Sequence, residues 1–434
     1  MLEYLELDNV GPAPRMKIEF APRVNLITGD NGLGKSFLLD TAWWVLTGAW
    51  PAEVNRRKTS GLPARPRNRH QRSAIRFRAH YANEPVGYGV AYSPTEEAWT
   101  PRGSERIDAL IVYAHADGSF SVWDTARNNW PRLAPPVNPE RRPPYVFTDA
   151  EVWDGLRAAV DGRKVPLCNG LLHDWSTWMK AGDANAKAMA QALRALSPNW
   201  EAGDRLEPGP PMRLSIDDAR DIPSIRTNHA GDVPVLHASS GVRRVVALAY
   251  MLTWAWSEHR IAADLRGEEV VRQATMLFDE VESHLHPRWQ RSMLTALRDV
   301  GRELLDGADL QLIASTHAPL VLGSAEHWFD TRKDAWFDLD LDGDPPEAHL
   351  RRRAFTPRGT PDAWLTSEAF DLPTNRSSIE AERAILRARE LLRRPDASLN
   401  EVMEVHRELR GVLPDVDRSW VRWNAFVEAR GGRP

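Results

Sequence analysis

The chain has 434 residues, 42% of them hydrophobic and 27% charged, with a formal net charge of −4. That length predicts two or three domains with sizeable apolar cores, and the charge excludes a globally basic nucleic-acid coat, leaving only local patches for such contact. The single cysteine, Cys168, excludes a disulfide scaffold and a multi-cysteine zinc site.

No apolar run approaches the roughly 18 residues of a membrane span. The N-terminus carries Glu3, Glu6 and Asp8, unlike a signal peptide, so no membrane partner and a cytoplasmic location are expected. Only seven of the 56 basic residues are Lys. Eighteen Trp are present. Pairs such as Trp43/Trp44, Trp175/Trp178 and Trp254/Trp256 fall in helix-like segments, where core packing competes with stacking on bases.

Leu2–Val10 and Arg15–Phe20 alternate with strand period around a Gly11-Pro12-Ala13-Pro14 turn. Val24–Thr28 is a short apolar strand, followed by a glycine-rich turn and a helix from near Gly34. Residues 54–78 hold nine Lys/Arg and no acid, and read as a loop. Strands are predicted at Ser73–Tyr81 and Tyr88–Tyr92, and a hairpin over Asp108–Asp124 about Asp117-Gly118. Residues 125–144 are proline-rich and irregular. Helices are expected over Asp149–Val160, Leu167–Ala181 and Ala184–Leu196.

Short strands around Arg213 and Val233 lead to a long apolar helix, Gly241–Trp256. Ala274–Phe278 and Leu310–Ser315 read as buried strands. Capping boxes at Ser377-x-x-Glu380 and Ser398-x-x-Glu401 start two tail helices, and Ser419–Arg430 forms a third. There are no internal repeats and no sustained heptads.

Gly29-Asp30-Asn31-Gly32-Leu33-Gly34-Lys35-Ser36 fits G-x-x-x-x-G-K-[ST] at every fixed position. Glycines let backbone N–H groups curl around phosphates, Lys35 reaches the β/γ-phosphates, and the Ser36 hydroxyl takes a Mg²⁺ site. A strand before and a helix after place the phosphates at a helix N-terminus, with Gly29, Asn31, Gly32, Gly34, Lys35, Ser36 and Phe37 as the ATP-binding set.

Met276–Glu280 is an apolar strand ending in two acids. Asp279 is expected to hold Mg²⁺ opposite Ser36, and Glu280 to polarise the attacking water. Ser239-Ser240-Gly241 opens the long helix and reads as a second phosphate site, or as an ordinary N-cap. A phosphate site there has its best use on the nucleotide of a second copy. His317, after Leu310–Ser315, is positioned to touch the γ-phosphate or the water.

This order of phosphate loop, Ser-x-Gly signature, Asp-Glu and then His resembles the ATP-binding-cassette (ABC) ATPases, and in detail their soluble SMC, RecF and OLD-like branch. LEYLELDNVGP…VNLITGDNGLGKS is similar to that branch's opening, and Asp279–Pro287 to its acid–D-loop segment, with Ser283–His286 as the D-loop. In the signature, Ala238, Ser240 and Val242 depart from LSGGQ, while Ser239 and Gly241 survive. Gln71 is a candidate for the Q-loop.

The resemblance implies an α/β P-loop NTPase: an ABC-ATPase head with a mixed sheet and flanking helices, an inserted, mainly helical region and a C-terminal helical extension. The expected divisions are 1–100, 101–205, 206–350 and 351–434. It implies ATP hydrolysis with Mg²⁺ by Lys35, Glu280 and His317, metal held by Ser36 and Asp279, and ATP completed in trans by Ser239 and Gly241. Pairing around two ATPs is expected, together with a separate effector, such as a nuclease, in bacterial anti-phage defence.

The alternative is a RecF-like DNA-repair ATPase that binds DNA directly. For the stretch Arg56, Arg57, Lys58, Arg65, Arg67, Arg69, Arg72, Arg76 and Arg78, nucleic-acid contact, an arginine reaching the nucleotide, and a solvated loop all stay open. His284-x-His286 beside Glu282 reads as D-loop rather than metal site. Asp338-x-Asp340-x-Asp342-Gly343 lacks the Glu of a calcium loop and reads as an edge strand and turn.

Overall fold

In the computed structural model the described residues are 1–81, 84–99, 109–128, 142–160, 162–198, 205–227, 230–305 and 307–433. They fall into two compact units, Met1–Gly359 and Thr360–Pro434. In chain order the first unit begins with β1 (Leu2–Asp8), β2 (Arg15–Glu19), β3 (Val24–Gly29), α1 (Lys35–Thr47), α2 (Pro51–Val54), β4 (Ala74–Tyr81), β5 (Glu84–Ser93) and β6 (Ala98–Trp99). Next come β7 (Leu110–Ala114), β8 (Phe120–Asp124), α3 (Thr125–Asn128), β9 (Tyr145–Phe147), α4 (Asp149–Asp154), β10 (Leu156–Val160), β11 (Arg163–Cys168), α5 (Leu171–Ala181) and α6 (Ala184–Leu196).

The chain continues through β12 (Glu207–Met212), β13 (Ile222–Thr227), β14 (Gly231–Pro234), α7 (Ser240–Arg266), β15 (Gln273–Phe278), α8 (Pro287–Leu304), β16 (Asp309–Ser315), α9 (Pro319–Ser324), β17 (Asp334–Asp342) and β18 (Glu347–Arg353). The second unit holds α10 (Pro361–Leu365), α11 (Ile379–Arg393), α12 (Leu399–Val412) and α13 (Ser419–Ala429).

The fold is α/β, as expected. Its main sheet has eight strands in the order β18-β17-β3-β16-β15-β7-β8-β9. From β17 to β7 the neighbours are parallel, and the two ends are closed by antiparallel β18 and by β8 and β9. Parallel strands are covered on both faces, which is why β7 and β15 are nearly unbroken apolar runs. A second sheet, β2-β1-β4-β5-β6, is antiparallel. Helix α1 packs against β1, β3, β15 and β16, so it lies between the two sheets. Its sequence is apolar nearly all round, as such a position requires.

Several expectations are corrected. The hairpin over Asp108–Asp124, assigned to an insertion, is β7 and β8 of the main sheet. All ten of its strand residues are buried, so it has no solvent face to offer elsewhere. Asp149–Val160 is not one helix. Gly155 takes φ 101°, outside the helical region, and β10 pairs with β11 after it. Leu167–Ala181 helps close that pair before α5 begins at Leu171. Beyond residue 205, β12, β13 and β14 form a small antiparallel sheet of their own.

The long helix runs on to Arg266, where Gly267 in the left-handed conformation ends it. Asp338 lies on an interior strand, because β18 covers β17 and forms the edge itself. The proline-rich stretch lies mostly outside the described residues.

The second unit is a helical bundle with its own core. Ile385, Leu391, Val402, Val405, Leu409 and Trp423 meet there. Helix α11 is capped by Ser378, not Ser377: the Ser378 hydroxyl accepts from the Ala381 N–H. The Ser398–Glu401 capping box forms as expected. Trp43, Trp44, Trp175, Trp178, Trp254 and Trp256 are all buried, so none offers a face for base stacking.

Candidate functional site

The parallel strands β3, β15 and β16 end on the same edge of the sheet, and the polar residues that follow each of them gather there. After β3 the chain curls through Gly29–Gly34 into α1. Gly34 takes φ 104°, and a Cβ on it would lie 2.6 Å from Pro12 Cγ, so no side chain fits. Helix α1 has no side-chain cap, which leaves its first N–H groups free for an anion. Asn31, Gly32 and Ser36 are exposed at this opening.

Phe37 offers only its backbone, because its ring packs against Gly11. Lys35 is buried, and its Nζ donates to the carbonyls of Gly29 at 2.6 Å and Asp30 at 2.7 Å. Burial pushes its ammonium pKa down, while Asp279, Asp30, Glu280 and Glu282 pull it back up.

After β15, Asp279 is buried and its Oδ1 accepts from the Ser315 hydroxyl at 2.7 Å. The same Ser315 oxygen accepts the Glu280 N–H at 2.8 Å. Glu280 sits in the left-handed region with φ 52°. A glutamate held there stores strain of about 1–3 kcal/mol, a cost that clusters at functional sites.

Glu282 accepts from the Thr316 hydroxyl at 2.7 Å and from the His317 N–H, fixing the turn that presents His317. His317 is half-buried. Burial lowers its pKa, Lys35 lowers it further, and the acids around it oppose them, so the ring is neutral at neutral pH.

Helix α7 is capped by Ser239, whose hydroxyl accepts the Val242 N–H at 3.4 Å. Ser239 and Ser240 are exposed. A Cβ on Gly241 would lie 2.7 Å from the His284 carbonyl oxygen, so the helix start abuts the Ser283–His286 turn. His284 and His286 are exposed, and His286 Nδ1 accepts the Arg288 N–H to start α8. Glu282 is committed to the His317 turn, which removes the third ligand from the metal reading of these histidines.

Three contributors escape the sequence reading. Ser315 reads there only as a strand end. Asp40, an acid inside the apolar α1, accepts from the Tyr113 hydroxyl at 3.0 Å, and burial pushes its carboxyl up to about 7, with Asp279 adding to the rise. Arg244, beyond the signature, donates through Nη2 to the His115 carbonyl at 2.6 Å. Asp40 is the most legible of the three, since it interrupts a run of apolar residues.

The basic stretch resolves into two groups. Lys58 is buried against Asp117 and Ser119. Arg57, Arg65 and Arg67 pair with Glu151, Glu97 and Glu347. Arg76 and Arg78 are not in a loop but on β4, facing Glu6, Asp8 and Glu3. Arg56, Arg69 and Arg72 are exposed and make no ion pair among the described residues. Gln71 lies in the same loop, where its carbonyl accepts from Asn9 Nδ2.

The donor set fits a magnesium nucleotide. Hard oxygen ligands suit Mg²⁺, and the exposed Ser36 hydroxyl and the Asp279 carboxylate are both of that type. No helix among the described residues is long and apolar enough to cross a membrane.

Residues 24–323 match the family described as "AAA domain, putative AbiEii toxin, Type IV TA system". Among solved structures, the chain is similar to the SMC head domain from Thermotoga maritima, at 14% identity over 81% of this chain and 99% of that one, with a TM-score of 0.39. It is also similar to the recombination mediator protein RecF, at 14% identity over 82% and 98%, with a TM-score of 0.39. A third is the Smc head domain bound to the C-terminal domain of ScpA from Pyrococcus furiosus, at 12% identity over 81% and 96%, with a TM-score of 0.40.

Proposed function

The chain belongs to this AAA-domain family, and from that premise we propose that it is an ATP-hydrolysing switch. It closes head to head with a second copy around two ATPs and controls a separate effector, such as a nuclease, in bacterial anti-phage defence. The observation that carries the reading is the gathering of Lys35, Asp279, Glu280 and His317 at one sheet edge, while Ser239–Gly241 and His284 abut on an exposed surface. The link to an effector rests on analogy of family alone.

In this reading the uncapped start of α1 and the Lys35 ammonium hold the β/γ-phosphates. Ser36 and Asp279 would hold Mg²⁺, which supplies charge neutralisation when bound. Glu280 orients the attacking water and takes its proton, with neutral His317 beside the γ-phosphate. Ser239 and Gly241 complete the site of the other copy. Direct DNA binding is the second reading. Among the described residues of the basic stretch it retains Arg56, Arg69 and Arg72 as free cations.

Mixing two dead subunits tests the composite site. Lys35→Ala has a dead phosphate loop and an intact signature, and Ser239→Arg the reverse. The mixture should recover roughly a quarter of wild-type ATPase, because about half of random pairs are mixed and each has one live site of two. No recovery, with subunit exchange demonstrated by labelling, leaves Ser239 as a plain helix cap.

A further inference from the structure

Arg244 stands in the second turn of α7 and reaches into the first unit's core. Its Nη2 is fixed on the His115 carbonyl, at the end of β7 and next to β15. Its Nη1 is fully buried and meets no protein acceptor. Arg244, Asp279 and Glu280 are the charged residues lining a pocket of about 20 Å³, whose other walls include Phe120, Phe278 and Leu285. That is room for one water and little more.

A guanidinium does not lose its proton in a protein, and a buried donor without a partner costs about 1–3 kcal/mol. The nearby acids are therefore its natural counterpart. Burial disfavours the charge on Arg244, and Asp117, Asp149, Asp279 and Glu280 restore it. Ser315 pins the backbone of Glu280 but not its carboxylate, which needs a second hold to keep its aim.

We infer that Arg244 is a positioning residue for hydrolysis: its free Nη1, across one water in that pocket, aims the Glu280 carboxylate. The aim is thereby tied to the helix that begins at Ser239. A Ser239 drawn toward a partner's phosphate shifts α7, and with it the hold on Glu280. This rests on the proposed role of Glu280.

The test uses the full chain with Arg244→Lys and Arg244→Gln, each alone and combined with Glu280→Gln. Thermal melting, ATP binding and single-turnover hydrolysis are measured, with a pH–rate profile. Lysine keeps the charge and one donor for the His115 carbonyl but has no second arm. The expected result for Arg244→Lys is wild-type melting and ATP affinity, with hydrolysis slower by on the order of 10- to 100-fold and a displaced pH–rate profile. In the Glu280→Gln background the same change should cost nothing further.

Wild-type turnover in Arg244→Lys overturns the inference. So does an equal loss in the Glu280→Gln background, or a failure of Arg244→Lys to fold, since each leaves Arg244 a strut for His115. Wild-type hydrolysis by Glu280→Gln alone instead removes the proposed role of Glu280 and takes the inference with it.

Discussion

The hydroxyl of Ser315 donates to Asp279 Oδ1 at 2.7 Å and accepts the N–H of Glu280, so one side chain on β16 sets both acids at the end of β15. Ser315→Ala removes that brace and leaves Lys35 and its loop untouched. Hydrolysis should fall by on the order of 10²-fold, since a displacement of about 1 Å at a reacting centre costs that much. ATP affinity should change little. The Glu280 N–H loses its partner, so melting should also fall. Steady-state kinetics with a titration of labelled nucleotide separates the effects. A proportional loss of binding and turnover would place Ser315 in the phosphate site instead.

The exposed arginines give a salt test of direct DNA binding. Changing Arg56, Arg69 and Arg72 to Gln should weaken duplex binding, and the slope of log K against log salt should shrink by about 0.9 for each phosphate that is no longer neutralised. Arg65 and Arg67 already have carboxylate partners, so the same change there should leave the slope alone. Wild-type protein that binds no duplex even at low salt ends the DNA reading.

Asp40 makes stability depend on pH. Its carboxyl is raised from 3.8 to about 7, mainly by burial. Between those values the folded chain binds more protons than the unfolded one, so this residue's contribution to stability falls as pH rises, and levels off above the folded value. Asn copies the neutral acid and still accepts from the Tyr113 hydroxyl. Asp40→Asn should therefore melt close to wild type near about pH 4 and above it near about pH 8. Equal melting at both, or a gain confined to acid, refutes the assignment.

What can be read from the residues follows from how local the signal is. The Gly29–Ser36 loop, Asp279-Glu280 and the Ser398–Glu401 box are fixed by neighbours within a few positions, and they form a strand-to-helix turn, a strand end and a helix cap as their patterns predict. Ser315 and Arg244 act through partners that are distant in sequence, and nothing near them marks those roles. The Asp149–Val160 stretch looks helical because its apolar spacing suits either element. Gly155 decides the matter through a backbone angle that no pattern of polarity records. Arg57, Lys58, Arg65 and Arg67 look free because their carboxylates come from elsewhere in the chain.

Gly241 leaves no space between the start of α7 and the His284 carbonyl. Two segments more than forty residues apart in sequence are thus stacked like adjoining stones of an arch. Load applied to one is carried straight into the other. In the proposed pairing, a second copy engaging Ser239 would also press on Ser283–His286, which lies between Glu280 and α8. The turn bearing Glu280 would then register contact at the helix start as a push. Any side chain at position 241 would wedge the two apart, and even alanine should uncouple docking from hydrolysis while leaving the phosphate loop intact.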